Sequence, residues 1–499
     1  MISKHFVKVL FPFRYEREGC NKLEDVTVKN DKGNDKRLFV HFGFDAIDLR
    51  KGVKELFSKA ENMSKIVDCY RVDYDARACI DLPRRKEEFL SFYTRERKDK
   101  DPYAVSIGEI CLYLFESGVG FVEMECGFES SSVSDYISCN YFLAEVKSGA
   151  NYFITQKRVW NADEKKEEKT EIQFTVKTLL KKVLDKVPGV KDFYSDDEWE
   201  KQHEKGMIYS YLYLEEKTED FGRIIHNIRN NYKESYKVVQ GHGSFDKDPN
   251  IRQQFENSYW VTSYNGTINV SHKTDSENTN LFFEKDFFGK MHNEYYALFL
   301  AVLHQRFVLL KAMTEMIEIS KLDLDYDDMK QQLVEIRDYK LQVSKLECRA
   351  FFEKPSYVQH VNDYYELIKA SYCIKELDAN LSAKMKDVEQ ICNVYVEKIR
   401  LHEDRLTKRR NARVEIFVSI FGTIVGVVSV MSQALGLLEK VFGIQVGTFS
   451  IPVLLTTLIL WIPSVVVCVN VVHKVKEIKE LTKDIERENP EPKQKKKAD

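Results

Sequence analysis

The sequence predicts an α/β cytoplasmic domain followed by long helices and a two-helix transmembrane hairpin. Three observations carry that class. Two uncharged apolar runs lie near the C-terminal end, the segment ahead of them switches between strand-like and helix-like periods, and a long proline-free stretch joins the two.

In chain order, residues 1–285 read as a cytoplasmic α/β sensor domain. His5 to Tyr15, rich in Phe, Val and Leu, is expected as a strand, with Pro12 placing it near an edge or a bulge. Ile47 to Ser64 reads as a helix. Glu109 to Phe128 reads as a β-hairpin, because two apolar alternating runs flank Glu116-Ser117-Gly118-Val119-Gly120. Strands are expected at Met207–Leu214 and at Ser258–Val270, the latter turning at Asn265-Gly266.

From near Phe287 the spacing becomes helical, and residues 286–413 read as a helical stalk. Helices are expected over Asn293–Ile319 and Met329–Phe352. Pro355 is the last proline before Pro452, so one helix is expected from about Tyr357 into the first apolar run. A seven-residue repeat runs along it, with Leu381, Val388, Tyr395 and His402 on one line and Met385, Cys392, Ile399 and Leu406 on the next. Over about four heptads this suits a coiled coil or packing against the chain's own helices.

Residues 414–472 read as two membrane helices, 414–438 and 449–472, and 473–499 as a basic cytoplasmic tail. From Ile416 to Leu438 no residue is ionisable, and at about 1.5 Å per residue that length crosses a hydrocarbon core of roughly 30 Å. Arg405, Lys408, Arg409, Arg410 and Arg413 precede the first run; His473, Lys474, Lys476 and Lys479 follow the second. The positive-inside rule then puts both outer flanks, and with them the N- and C-termini, in the cytoplasm, as expected of a multi-pass inner-membrane protein. Met1 to Lys8 has no apolar core of signal-peptide length.

A net charge of -3 gives no strongly basic surface overall, so direct nucleic-acid binding is not expected, while a local basic pocket stays open. Ten cysteines without a Cys-x-x-Cys pair suggest neither a zinc site nor a disulfide framework. The chain lacks a Walker loop, a Gly-x-Ser-x-Gly elbow and His-Glu-x-x-His, so it is not expected to be an enzyme. Gly241-His242-Gly243-Ser244 reads as a turn.

The first membrane run has a small or weakly polar side made of Ser419, Gly422, Thr423, Gly426, Ser429, Val430 and Gln433, with Phe417, Ile420, Phe421, Ile424 and Val427 opposite. Small faces bring helices together, and in a bundle with an axial hole the same side chains line a water path. Glu415 stands at its cytoplasmic mouth, as a cation-attracting ring or as a partner for Arg410 or lipid headgroups. Asp323, Asp325, Asp327 and Asp328 resemble the start of a calcium loop but lack its Gly and Glu; they read as a helix-start acidic cluster or as a regulatory cation site. A sensed nucleotide would need cations for its phosphates and aromatic faces for its base; Lys157 and Arg158 with Trp160, and Trp260 with Tyr264, are the candidates.

This order of α/β domain, long helix, first span, short outer loop, second span and basic tail resembles the CorA family of magnesium channels. The resemblance covers the C-terminal 200 or so residues well and the N-terminal domain only in general layout. It implies a homopentamer whose first membrane helices line the pore and whose cytoplasmic domains gate it. The family's Gly-Met-Asn at the outer end of the first span is missing, and Gln433-Ala434-Leu435-Gly436-Leu437-Leu438 stands there. Magnesium selectivity is therefore not carried over. The Phe115–Phe128 hairpin with its Gly118-Val119-Gly120 turn and Leu303-His304-Gln305-Arg306 look similar to a CorA-like branch acting as membrane effector in type III CRISPR antiviral defence. That likeness implies a SAM-AMP-type nucleotide second messenger as activating ligand. The alternatives are a constitutive divalent-cation transporter with an altered filter and a membrane-anchored binding module.

Overall fold

The computed structural model describes residues 1–443 apart from 17–22, 30–32, 45–47, 58–65, 84–88, 98–99, 147–148, 162–165, 193–204, 234–247, 321–333, 342 and 346–351, and beyond 443 only His473 and Lys476. The chain divides into two compact units, Met1–Asp323 with Gln331–Val388, and Leu324–Lys330 with Glu389–Asp499. The helices that follow residue 285 therefore belong, up to Val388, to the same unit as the sheet.

That unit is built on a 13-stranded sheet. Its strands are β1 (Ile2–Tyr15), β2 (Phe39–Phe42), β3 (Val67–Val72), β4 (Phe89–Tyr93), β5 (Tyr103–Phe115), β6 (Val119–Phe128), β7 (Tyr152–Asn161), β8 (Lys166–Phe174), β9 (Val190–Asp192), β10 (Met207–Leu214), β11 (Ile251–Phe255), β12 (Ser258–Ser263) and β13 (Gly266–His272). The order is β8-β7-β4-β5-β6-β1-β10-β13-β12-β11, with β3 on β5, β2 on β3 and β9 on β1. Only β10 and β13 pair in parallel among these.

β1 is buried on both faces, so it reads as a near-continuous apolar run. Strand alternation sorts its side chains. Val7, Val9, Phe11 and Phe13 join a core with Tyr136, Leu179 and Ile224 from helices α1 (Val133–Ala144), α2 (Val176–Leu184) and α3 (Phe221–Arg229). Ser132 and Thr175 cap α1 and α2 through hydrogen bonds from the Asp135 and Thr178 N–H groups. Phe6 and Lys8 point to the other face, where Phe6 meets Phe288 and His292 and Lys8 lies over Tyr296. Helices α4 (Glu294–Ser320) and α5 (Gln359–Ser371) cover that side, with the rings of Tyr295 and Tyr364 packed on Trp260 of β12.

Pro12 is at neither an edge nor a bulge. It falls in the gap between β10, whose ladder on β1 ends at Leu10↔Met207, and β9, whose ladder begins at Phe13↔Asp192. On its other side Pro12 faces Phe121 of β6, and a residue without an N–H is tolerated because on the gap side the described residues give it no ladder partner. The expected hairpin is β5–β6. Its turn carries Gly118 at φ +75°, and a Cβ there would lie 3.0 Å from the Tyr15 carbonyl oxygen. Of the helix expected at 47–64, the described residues contain Lys51–Leu56.

The helix expected from Tyr357 is two helices. α5 stops at Ser371, Tyr372 is buried, and Cys373 takes a left-handed conformation at φ +54° before α6 (Ile374–Phe442) begins. No proline marks the break; a buried tyrosine and one left-handed residue make it. Leu381, Val388, Cys392 and Ile399 of the heptad lines are buried within the single chain, whereas His402 and Leu406 are exposed. α6 ends at Gly443, φ +58°, the usual residue for a left-handed helix stop.

Candidate functional site

Two helical stretches are long and apolar enough to cross a membrane, Glu277–Met316 and Ile374–Val441. The first contains most of α4, and 78% of its apolar window is buried inside the protein, where a helix that is apolar all round belongs. The apolar window of the second is 0% buried. There Phe417, at 72% exposure, and Val418, Phe421, Ile424 and Leu437 have no cover. A Cβ added at Gly422, Gly426 or Gly436 would meet nothing within 4 Å.

At 3.6 residues per turn, Glu415, Ser419, Gly422, Thr423, Gly426, Ser429, Val430 and Gln433 fall within an arc of about 120° on α6. The Thr423 hydroxyl donates to the Ser419 carbonyl at 2.7 Å, so its polarity is met within the helix. The second expected span, 449–472, lies outside the described residues, as do Asp323, Asp325, Asp327, Asp328 and the Gly241–Ser244 turn.

Within the sheet unit, the two stretches behind the narrower resemblance meet. The Ser117 Oγ at the hairpin tip lies 2.9 Å from His304 Nε2, the His304 ring stacks on Phe115 with centroids 4.0 Å apart, and Lys311 donates to the Ser117 carbonyl at 2.7 Å. Burial pushes His304 down to about 3, helped by the Lys311 charge, so the imidazole is neutral. Gln305 donates to Tyr365 Oη at 3.0 Å. These bonds fasten the β5–β6 turn to α4 and α4 to α5.

A buried charge cluster lies about two turns earlier on α4, at Tyr296. Lys8 Nζ is 2.6 Å from Glu123 Oε1 and 3.7 Å from Glu125 Oε2, Tyr113 donates to Glu123 Oε2 at 2.5 Å, and Tyr296 donates to the same oxygen. Burial alone would lower Lys8, but the two carboxylates outweigh it and hold the ammonium above the ordinary lysine range. Sequence reasoning missed this cluster. The signal for it was present: Lys8, Glu123 and Glu125 interrupt strands that are otherwise apolar on both faces.

The nucleotide candidates are dispersed. Trp260 is a correction: it is fully buried, its Nε1 donates to Gln254 Oε1 at 2.6 Å, and Tyr295 and Tyr364 pack against its ring, so no face is left for a ligand. Tyr264, on the β12–β13 turn, is 45% exposed and carries the Arg306 guanidinium 3.4 Å from its ring centre. Lys157, Arg158 and Trp160 lie on β7, with backbones paired to Thr170, Lys169 and Glu167 of β8. Among the described residues no group of three His, Cys, Asp or Glu is placed to hold a metal ion. Compared with known proteins, the chain matches no family model and no curated protein sequence.

Proposed function

We propose that the chain is a homo-oligomeric, CorA-like membrane channel, in which the end of α6 crosses the bilayer and the sheet unit senses a ligand. One observation supports this above the rest: α6 runs unbroken to Phe442, and its last third is apolar, unburied and divided into a bulky and a small side. An apolar surface of that extent does not persist in water. Lipid accounts for the bulky side, and copies of the same helix for the small one. The arginines ahead of it keep the sheet unit in the cytoplasm of a cell whose inner membrane holds the hairpin. A SAM-AMP-type second messenger in type III CRISPR defence is the trigger and setting that the resemblance supplies.

Reconstitution in liposomes tests the reading. Ion flux that appears only with the nucleotide supports it, magnesium flux without one supports a constitutive transporter, and membrane insertion without flux under any condition leaves an anchored binding module. Gly426→Leu is expected to abolish flux, because a bulky residue closes the axis. Flux that survives with the oligomer intact removes the small side of α6 from the pore.

A further inference from the structure

Arg306 is a buried cation without a carboxylate partner among the described residues. It projects from α4, is 3% exposed, and makes a single hydrogen bond among the described residues, from Nη1 to the Tyr264 carbonyl oxygen at 3.3 Å. Its Nε is buried without a partner. Its guanidinium lies 3.4 Å from the ring centre of Tyr264 and 5.2 Å from that of Tyr372, and no described carboxylate pairs with it. Two further buried hydroxyls lie beside it: Thr267 Oγ1 and Tyr372 Oη make no hydrogen bond of good geometry and are within reach only of each other among the described residues. Tyr372 adjoins both: burial pushes its phenol up to about 12, while the Arg306 charge and the Thr267 hydroxyl pull the other way. The phenol is therefore a donor at neutral pH.

Removing a cation from water without a counter-charge is among the costliest things a fold does. Ring faces compensate only a small part of it. The contrast with Arg77, also buried with orphaned nitrogens, is informative. Arg77 donates to the Gly108 carbonyl at 2.6 Å and lies in the field of Glu109. Around Arg306 every unmet group is a donor or can act as one, and the three come from α4, β13 and the α5–α6 joint. A guanidinium with two hydroxyls matches an anion that has several oxygens.

We propose that Arg306, Thr267 and Tyr372 bind the phosphate group of a small phosphate-bearing ligand, with Tyr264 as the cover of the site. Tyr264 is the exposed member, so its ring is the part that moves aside for entry, and it offers an aromatic face if a nucleoside carries the phosphate. Tyr372 directly precedes the left-handed residue that starts α6, so the anion ties the root of α6 to α4 and β13. The site goes beyond the channel reading and does not depend on it, since binding is measured without flux.

The test is thermal unfolding of the full chain in detergent, with inorganic phosphate, adenosine monophosphate or chloride at matched ionic strength. Phosphate is expected to raise the midpoint where chloride does not. A larger shift with the nucleotide than with phosphate identifies a nucleoside-borne group, and equal shifts identify the free anion. Arg306→Gln is expected to unfold at or above the wild-type midpoint without ligand and to lose the response. Tyr372→Phe keeps the charge and is expected to bind phosphate about tenfold more weakly, the loss of one hydrogen bond to a charged group. A wild-type midpoint that moves with neither ligand overturns the proposal. So does an undiminished response in either variant. If Arg306→Gln does not fold, Tyr372→Phe and Thr267→Val carry the comparison.

Discussion

The helical run Glu277–Met316 and the last third of α6 are both apolar enough to cross a bilayer, and the fold treats them oppositely. α4, most of it within the first, is enclosed by β-strands, by α5 and by its own hydrogen bonds to the hairpin tip. The second is left bare by the described residues. Apolarity alone states that a helix will be withdrawn from water, and the surroundings state which medium receives it. Tyr296, His304, Gln305 and Arg306 punctuate α4 with groups that find protein partners or call for a ligand; from Ile416 to Leu438 the only polar side chains are hydroxyls and one amide.

The largest expected contrast comes from placing the same charge in each helix. Leu300→Lys buries an ammonium without a partner and is expected to cost the sheet unit more than about 4 kcal/mol, enough to remove its cooperative unfolding transition. Ile424→Lys is expected to change that transition by less than about 0.5 kcal/mol while weakening insertion by about 3 kcal/mol. Denaturant unfolding followed by circular dichroism and flotation with lipid vesicles read the two effects. If Ile424→Lys unfolds the sheet unit and leaves flotation intact, the contrast between the helices is lost.

A smaller effect sharpens the protein-enclosed side. His304 is held at about 3, so in acid the unfolded chain takes up a proton that the native chain refuses. Stability is then full above the ordinary imidazole range and falls as pH drops from about 6.5 toward 3, by up to about 1.4 kcal/mol per unit. His5, lowered to about 4 by burial and accepting the Phe128 N–H at 3.0 Å, adds in the same direction. His304→Gln is expected to flatten the slope of unfolding free energy between pH 7 and pH 5. An unchanged slope means that His304 is not the group being titrated.

The smallest prediction concerns the start of α6. Cys373→Gly removes the side chain from a left-handed backbone and is expected to raise stability by roughly 0.5–1 kcal/mol. A loss of stability instead means that the thiol packs against something worth more than the strain.

Much of the fold was legible because local period and long-range burial agreed. Met207–Leu214, the β5–β6 hairpin and the helix from near residue 293 follow their apolar patterns closely. Pro12 and Cys373 were not legible. A gap between two partner strands and a left-handed cysteine are set by neighbours far away in sequence. Trp260 misled because a tryptophan beside an exposed tyrosine looks the same in sequence whether its ring meets solvent or two core tyrosines. The small stripe of α6 was legible from spacing, whereas Arg306 stood out only once the fold had left it without a carboxylate partner among the described residues.

The position of β1 has a consequence for how the protein is made. β1 lies in the middle of the sheet, and its partners β6 and β10 end at Phe128 and at Leu214, the latter about 200 residues later in the chain. At ribosomal speeds of about 5–20 residues per second, Ile2–Tyr15 waits on the order of 10–40 s for β10, with two apolar faces and at least one unpaired edge. The nascent chain therefore exposes an apolar strand long before its ladder is complete, and that interval is the stage at which a chaperone protects it.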